Sequence, residues 1–327
     1  MPDGPSTLQP LTFRCSLGQR TPTCPMLFDR HQDAWPPHPM HKQNPNLTKR
    51  EGYCSSLILP IDHETFTRST TDSPKDFDMA NGILAREQNI EEFNADVAAH
   101  EGYIYTAIDR WSSRYATGRQ SEELVKLIAA NFTSQIKIVD IGCGDGTYTR
   151  EIANRFRPHS MRALDPASNA VRIATERTAT APAATPISFE VGNIYELDNK
   201  GEELAVVRGV LHHLDRPEEA VAELCRCFDS ILVLEPNGYN PVLKVIEKVS
   251  PYHRRHGEKS YWPPTLNTWF ADAGFEVVTQ SFFLLVPYFC PTGAARLLAS
   301  LEGLSESIPV VRHVSSGTNL VLYRRRK

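Results

Sequence analysis

The sequence predicts an α/β protein built on a doubly wound, mostly parallel sheet. Three observations carry this expectation. Short apolar runs alternate with helix-period segments from about residue 136 to residue 236, the pattern of strands covered on both faces by crossover helices. The first run, Lys137 to Ile141, ends in Gly142-Cys143-Gly144-Asp145-Gly146, a tight turn that opens a helix. The later runs end in polar or glycine-containing turns, at Asp165-Pro166, Gly192-Asn193, Arg208-Gly209 and Glu235-Pro236-Asn237. Open sheets of this kind bind ligands beyond the carboxyl ends of their strands, so these turns should converge.

Composition bounds the reading. The 327 residues, 41% of them hydrophobic, suffice for one large domain with a sizeable core. A net charge of −4 gives no global nucleic-acid footprint. The most apolar stretch, Phe282 to Cys290, is too short to span a bilayer and holds a proline. No charged n-region precedes an apolar h-region at the start, so no secretory signal is expected. The seven cysteines lack framework spacing and read as free thiols of a reducing, cytoplasmic compartment. Cys225 and Cys227 form a lone CxC, and no metal site is expected.

Along the chain, residues 1–78 are proline-dense and show no sustained period. They read as a disordered N-terminal tail; a targeting segment, or an overlong start with Met79 as the functional beginning, stays open. Residues 79–134 read as lid and leading helices. Ile83, Leu84, Ile90, Phe93 and Val97 fit an amphipathic pattern. Tyr103, Tyr105, Arg110 and Arg114 follow, and either close over a ligand or form a surface helix pair. Ser121 reads as the N-cap of a helix bearing Leu124, Leu127, Ile128 and Phe132. Residues 135–327 hold the core, with insertions after the fifth strand and before the last. Helices are expected over 149–156, 168–178, 217–228, 241–250, 263–273 and 292–304. Further strands are expected at 161–164, 187–191, 204–207, 231–234, 275–278 and 318–323, the last two as an antiparallel pair closing one edge.

The glycine turn carries the chemistry. Dinucleotide sites space their glycines G-x-G-x-x-G and hold a pyrophosphate on the helix N-terminus. Here Gly142, Gly144 and Gly146 alternate, and Asp140 precedes them. Carboxylates at Asp140 and Asp145 would oppose a pyrophosphate and suit a cation. Asp165, at the end of the second strand, can accept both hydroxyls of a ribose. The pattern favours a positively charged ligand that carries an adenosine.

On these motifs, residues 136–236 resemble the class I S-adenosylmethionine-dependent methyltransferases. Val139 to Thr147 is similar to the family's first motif and Leu164-Asp165-Pro166 to the acidic end of its second strand. Val210-Leu211-His212-His213-Leu214 looks like the post-strand-four signature of its small-molecule branch. The resemblance implies a Rossmann-like, seven-stranded sheet whose last strand is antiparallel, with S-adenosyl-L-methionine as cofactor. It implies that Asp140, Gly142, Gly144 and Gly146 line the methionine part, that Asp165 holds the ribose, and that Asn193 and Ile194 flank the adenine. Asn193 departs from the usual acid. Cys143, Asp145, Pro166 and Arg208 are counted with the cofactor-binding set.

Acceptor chemistry is less defined. His212 or His213 is a candidate base; the alternative is that one caps the loop and the other touches only cofactor. Glu235 and Asn237 bind substrate or cap their loop. Lys244, Lys248, Arg254 and Arg255 form either a basic rim or a solvated face. Residues 282–289 line an apolar acceptor pocket or pack in the core. A small-molecule acceptor, with an acidic or lipid-like one left open, is the leading expectation, without nucleic acid and without stable membrane insertion. An NAD-dependent oxidoreductase and a non-catalytic S-adenosylmethionine-binding module are the alternatives.

Overall fold

The computed structural model describes residues 110–250 and 259–327, together with residues 90, 91, 93–95, 97 and 102. The chain divides into residues 1–67, outside the described residues, and residues 68–327, treated below. The expected tail over 1–78, Tyr103, Tyr105, Arg254 and Arg255 also lie outside the described residues.

Helix α1 (Trp111–Asn131) leads into β1 (Lys137–Ile141), and the glycine turn into α2 (Thr147–Arg155). β2 (Ser160–Asp165), α3 (Ser168–Thr180), β3 (Ile187–Val191) and β4 (Leu204–Arg208) follow. A single 3₁₀ turn (Leu211–His213) and α4 (Pro217–Cys227) connect to β5 (Ser230–Pro236). Then come α5 (Pro241–Val249), α6 (Pro263–Asp272), β6 (Phe275–Phe283), α7 (Thr292–Ser307), α8 (Pro309–Ser315) and β7 (Thr318–Arg325). The seven strands lie in the order β3-β2-β1-β4-β5-β7-β6. β1 to β5 are parallel, and β7 runs antiparallel between β5 and β6. The predicted Rossmann-like sheet is therefore present. Strand order reverses at β1 and β4, which opens a crevice beyond their carboxyl ends.

Side chains alternate between two faces of each strand, and both faces are packed. Val139, Val207 and Val233 join Leu224, Phe228, Phe270 and Tyr323 on one side; Ile138, Val206 and Leu232 join Leu124, Ile128 and Ile152 on the other. Phe270 stacks on Tyr323 with ring centres 3.8 Å apart. This two-sided burial explains why the strands read as unbroken apolar runs.

Three expectations need correction. Ser121 is not an N-cap: α1 begins at Trp111, and Ser121 lies buried in its middle. The first half of this helix buries Ser112, Ser113, Thr117 and Gln120; a polar buried face carries no hydrophobic period. β6 runs on to Phe283, so Phe282 and Phe283 are buried strand residues. α8, between α7 and β7, was not expected at all.

The insertion before β7 is fastened to α1. β6 ends where Phe283 pairs with Thr318, which also pairs with Pro236 at the end of β5. The insertion therefore hangs from the carboxyl edge. The hydroxyls of Ser112 and Ser113 both donate to the Tyr288 carbonyl, at 2.6 and 2.8 Å. Buried Glu302 of α7 accepts from the Tyr115 hydroxyl and Arg119 Nε, both at 3.0 Å, and from the Leu285 N–H at 2.9 Å. Glu306 accepts from the N–H of Leu284 at 3.1 Å, a residue held at φ 74. Such a left-handed non-glycine residue persists only where its surroundings fix it.

Removing the central acceptor should loosen this clasp. Glu302→Ala is expected to cost about 1–3 kcal/mol, because it strands the Tyr115 hydroxyl and the Leu285 N–H while Arg119 keeps Glu123 and Glu306. Urea unfolding measures it; a change within about 0.5 kcal/mol would show that the clasp contributes little.

Candidate active site

The glycine turn is shaped by close packing. Gly142, Gly144 and Gly146 have φ of 78, 56 and 74°, a region that side chains rarely enter. A Cβ on Gly142 would lie 2.3 Å from Cγ2 of Val210, so the loop after β4 closes directly on the turn. The N–H groups of Gly142 and Cys143 donate to the Leu164 carbonyl at 2.7 and 2.9 Å, which ties the turn to β2.

Two acids stand beside it, both buried. Asp140 accepts from the Thr149 hydroxyl at 2.5 Å. Asp165 accepts from the N–H groups of Gly144 at 2.8 Å and Ala167 at 2.9 Å. Burial pushes Asp140 up to about 6, opposed by the Thr149 hydroxyl and the Arg208 charge. Burial likewise pushes Asp165 up to about 6, opposed by its two backbone donors. Among the described residues neither acid is ion-paired. Asp145 differs: it pairs with Arg177 Nη1 at 2.7 Å and accepts from the Thr147 N–H at 3.1 Å. Burial raises the Cys143 thiol far above its ordinary range.

The third part of the site comes from β4 and β5. Glu235 Oε1 accepts from the N–H groups of Val210 and Leu211 at 2.9 and 2.8 Å. Its Oε2 lies 3.3 Å from the His212 N–H and 2.7 Å from His212 Nδ1. A carboxylate so engaged fills its four acceptor sites. A proton on Nδ1 would leave Nε2 as the ring's acceptor. His213 packs against His212 with ring centres 3.9 Å apart and meets the edge of Phe93 at 5.1 Å.

The remaining candidates separate. Asn193 Oδ1 accepts from the Tyr195 N–H at 3.1 Å; Ile194 is buried, and Pro166 is half-buried beside Asp165. Asn237 is buried and donates to the carbonyls of His313 and Ser316 at 2.7 and 2.9 Å, so it fastens α8 to β5. Arg208 reaches α1, donating to Ser121 Oγ at 2.9 Å and Gln120 Oε1 at 3.1 Å, with its guanidinium 3.6 Å from the Tyr148 ring centre. Lys244 bonds Glu247 at 3.2 Å within α5, while Lys248 is exposed. Arg110 and Arg114 are exposed.

The structure thus brings together the turn, Asp140, Asp165, Val210, His212 and Glu235. Thr149 and Arg177 were missed by sequence reasoning, which named Val210 only within the signature after β4. Thr149 sits in the first turn of α2, one of many hydroxyls near a helix start, and Arg177 joins Asp145 only through tertiary packing.

Residues 138–230 match the family model of a methyltransferase domain. An uncharacterized protein of Synechococcus sp. is 30% identical over 90 residues, which is 27% of this chain and only 22% of that protein's length. Among solved structures, a candidate sarcosine dimethylglycine methyltransferase from Galdieria sulphuraria is similar at 17% identity, with a TM-score of 0.50, over 65% of this chain and 86% of that one. Magnesium protoporphyrin IX methyltransferase from Synechocystis PCC 6803, with bound S-adenosylhomocysteine, is similar at 14% identity and a TM-score of 0.49, over 67% of this chain and 89% of that one. At such identities the structural likeness concerns the fold alone. The family match identifies a methyltransferase domain over residues 138–230, from β1 to the first residue of β5, on a sheet of the order β3-β2-β1-β4-β5-β7-β6.

Proposed function

We propose that this chain methylates a small-molecule acceptor from S-adenosylmethionine, and that His212, held by Glu235, takes the acceptor's proton. The 2.7 Å contact between His212 Nδ1 and Glu235 Oε2, beside the glycine turn, carries this reading.

The residues present suit the cofactor. Asp140 and Asp165 are carboxylates kept out of water and pushed up to about 6 by burial. A cationic group with neighbouring hydroxyls would relieve both. In this reading Asp140 and the three glycines hold the methionine end, Asp165 the ribose, and Asn193 with Ile194 the adenine. Asp165 can still accept two hydroxyls, since each oxygen has spent one site on a backbone donor. Cys143 stays a protonated thiol, so the turn offers no thiolate beside an alkylating group. When bound, S-adenosylmethionine supplies a methyl group on a sulfonium centre.

The chain's own task is alignment, exclusion of water and proton transfer. Glu235 orients the His212 ring and stabilises its charge once Nε2 has taken a proton, the logic of a carboxylate behind a catalytic imidazole. We assign Glu235 a positioning role, because its acceptor sites are filled. Arg208 and Asn237 hold α1 and α8 and so shape the crevice.

Three outcomes test this reading. Asp165→Ala should abolish most cofactor affinity in isothermal titration while circular dichroism stays native; unchanged affinity refutes the ribose role. Asp140 has a folded-state value of about 6, above an unfolded value of about 4. The folded chain therefore binds its proton more tightly, and this group's contribution is fully present below about pH 4 and lost as pH rises through about 6. Asp140→Asn should accordingly raise stability at pH 8 by on the order of 1 kcal/mol, with less gain at pH 4; an equal or negative change at pH 8 contradicts the burial argument. His212→Ala should lower labelled-methyl transfer to metabolites of a cell extract by about 10²–10⁴-fold with cofactor affinity intact. Full activity without His212 removes it as the base.

A further inference from the structure

Three helices at the carboxyl edge turn aliphatic side chains to solvent. On α5, Val242, Val245 and Val249 follow helical spacing along one stripe and are 58–65% exposed. On α7, Leu297, Leu301 and Leu304 form a second such stripe and are 44–63% exposed. Val310, at the start of α8, is 75% exposed. The elements are tied together: Asn240, the N-cap of α5, donates to the carbonyls of Ser315 and Ser316 at the end of α8, and α8 follows directly on α7. Both segments spring from the edge that carries the glycine turn, since the insertion leaves β6 at Phe283 and α5 follows β5. Exposed aliphatic stripes gathered at one edge mark an interaction site.

The charges on these helices say what covers it. Their acids are Glu247, Glu302 and Glu306. Each is pinned inward, Glu247 to the Ser260 N–H, Glu302 to Tyr115, Arg119 and Leu285, and Glu306 to Leu284. Lys248 and Arg296 are exposed. The outward face is thus aliphatic and basic, with its acids withdrawn. Trp262, 55% exposed, adjoins it through Tyr239, whose ring meets those of Trp262 and His313 of α8 at 4.8 and 6.0 Å. Aliphatic stripes with cationic neighbours and an amphipathic indole suit the interface of an anionic bilayer, whereas protein interfaces concentrate aromatics and arginine at their centre. Among the described residues no helix is long and apolar enough to cross a membrane, so the contact would be with its surface.

We propose that the outward faces of α5, α7 and α8 dock this protein on an anionic lipid surface, with the carboxyl edge toward the bilayer. An amphiphilic acceptor then reaches the crevice from the membrane; that last step, unlike the docking, rests on the methyl-transfer reading. Docking leaves the redox and covalent state of the protein unchanged.

Co-sedimentation of the full chain with vesicles tests the docking. The probes are phosphatidylcholine alone and phosphatidylcholine mixed with phosphatidylglycerol, each at low and physiological salt, with cofactor titration of every sample. Binding to the anionic vesicles is expected, weaker at higher salt. Val245→Glu with Leu301→Glu should weaken it by at least roughly tenfold, and Lys248→Glu with Arg296→Glu should remove the preference for phosphatidylglycerol, all with native cofactor affinity. Absence of vesicle binding by a chain that binds cofactor overturns the proposal. So does a dimer that Val245→Glu with Leu301→Glu dissolves while vesicle binding stays unaffected. Vesicle binding by a chain that fails to bind cofactor would uphold the docking and refute the methyl-transfer reading instead.

Discussion

The carboxylate of Glu235 fixes the loop after β4, and much of the crevice depends on that one group. It gathers the N–H groups of Val210, Leu211 and His212 together with the His212 ring. The loop so held presses Val210 onto Gly142, which shapes the turn on β1. A strand-end acid, a ring nitrogen and a glycine turn thus form one mechanical unit. Stranding several buried donors would cost on the order of 1–3 kcal/mol each, which is why such a residue cannot be exchanged cheaply. The pairing also explains how a histidine in a short 3₁₀ turn keeps a single orientation.

Much of this was legible in the sequence. Strands covered on both faces read as apolar runs, and the alternate glycines read as the tight turn that joins β1 to α2. What was not legible depends on partners distant in sequence. α1 looked shorter than it is because the buried face of its first half is mostly polar, satisfied by Tyr288, Arg208 and the α7 acids as well as by packing. Asp145 reads like Asp140 in the sequence, yet Arg177 of α3 pairs with it, whereas among the described residues Asp140 and Asp165 have no ion pair and burial pushes both up to about 6. Glu235 and Asn237 read as substrate ligands or as loop caps because strand ends converge; their bonds make one a loop anchor and the other a fastening for α8, partners that no local spacing announces.

α1 emerges as a strut. Its first half holds the insertion through Tyr288 and Glu302, and its middle holds the end of β4 through Arg208. The carboxyl edge and the aliphatic helices beyond it are thereby coupled to one element. A surface that meets lipid and a crevice that meets cofactor would share a rigid frame, which orders the approach of an amphiphilic acceptor without a separate hinge.

The central claim is that buried carboxylates at the glycine turn hold a cationic, adenosine-bearing cofactor. Isothermal titration of the full chain with S-adenosylmethionine on both sides of pH 6, with NAD in parallel, tests it most directly. The account predicts S-adenosylmethionine binding that weakens as pH falls through about 6, where Asp140 and Asp165 take up protons, and NAD binding that is far weaker throughout. Tighter binding of NAD, or S-adenosylmethionine affinity indifferent to pH across that range, would contradict it.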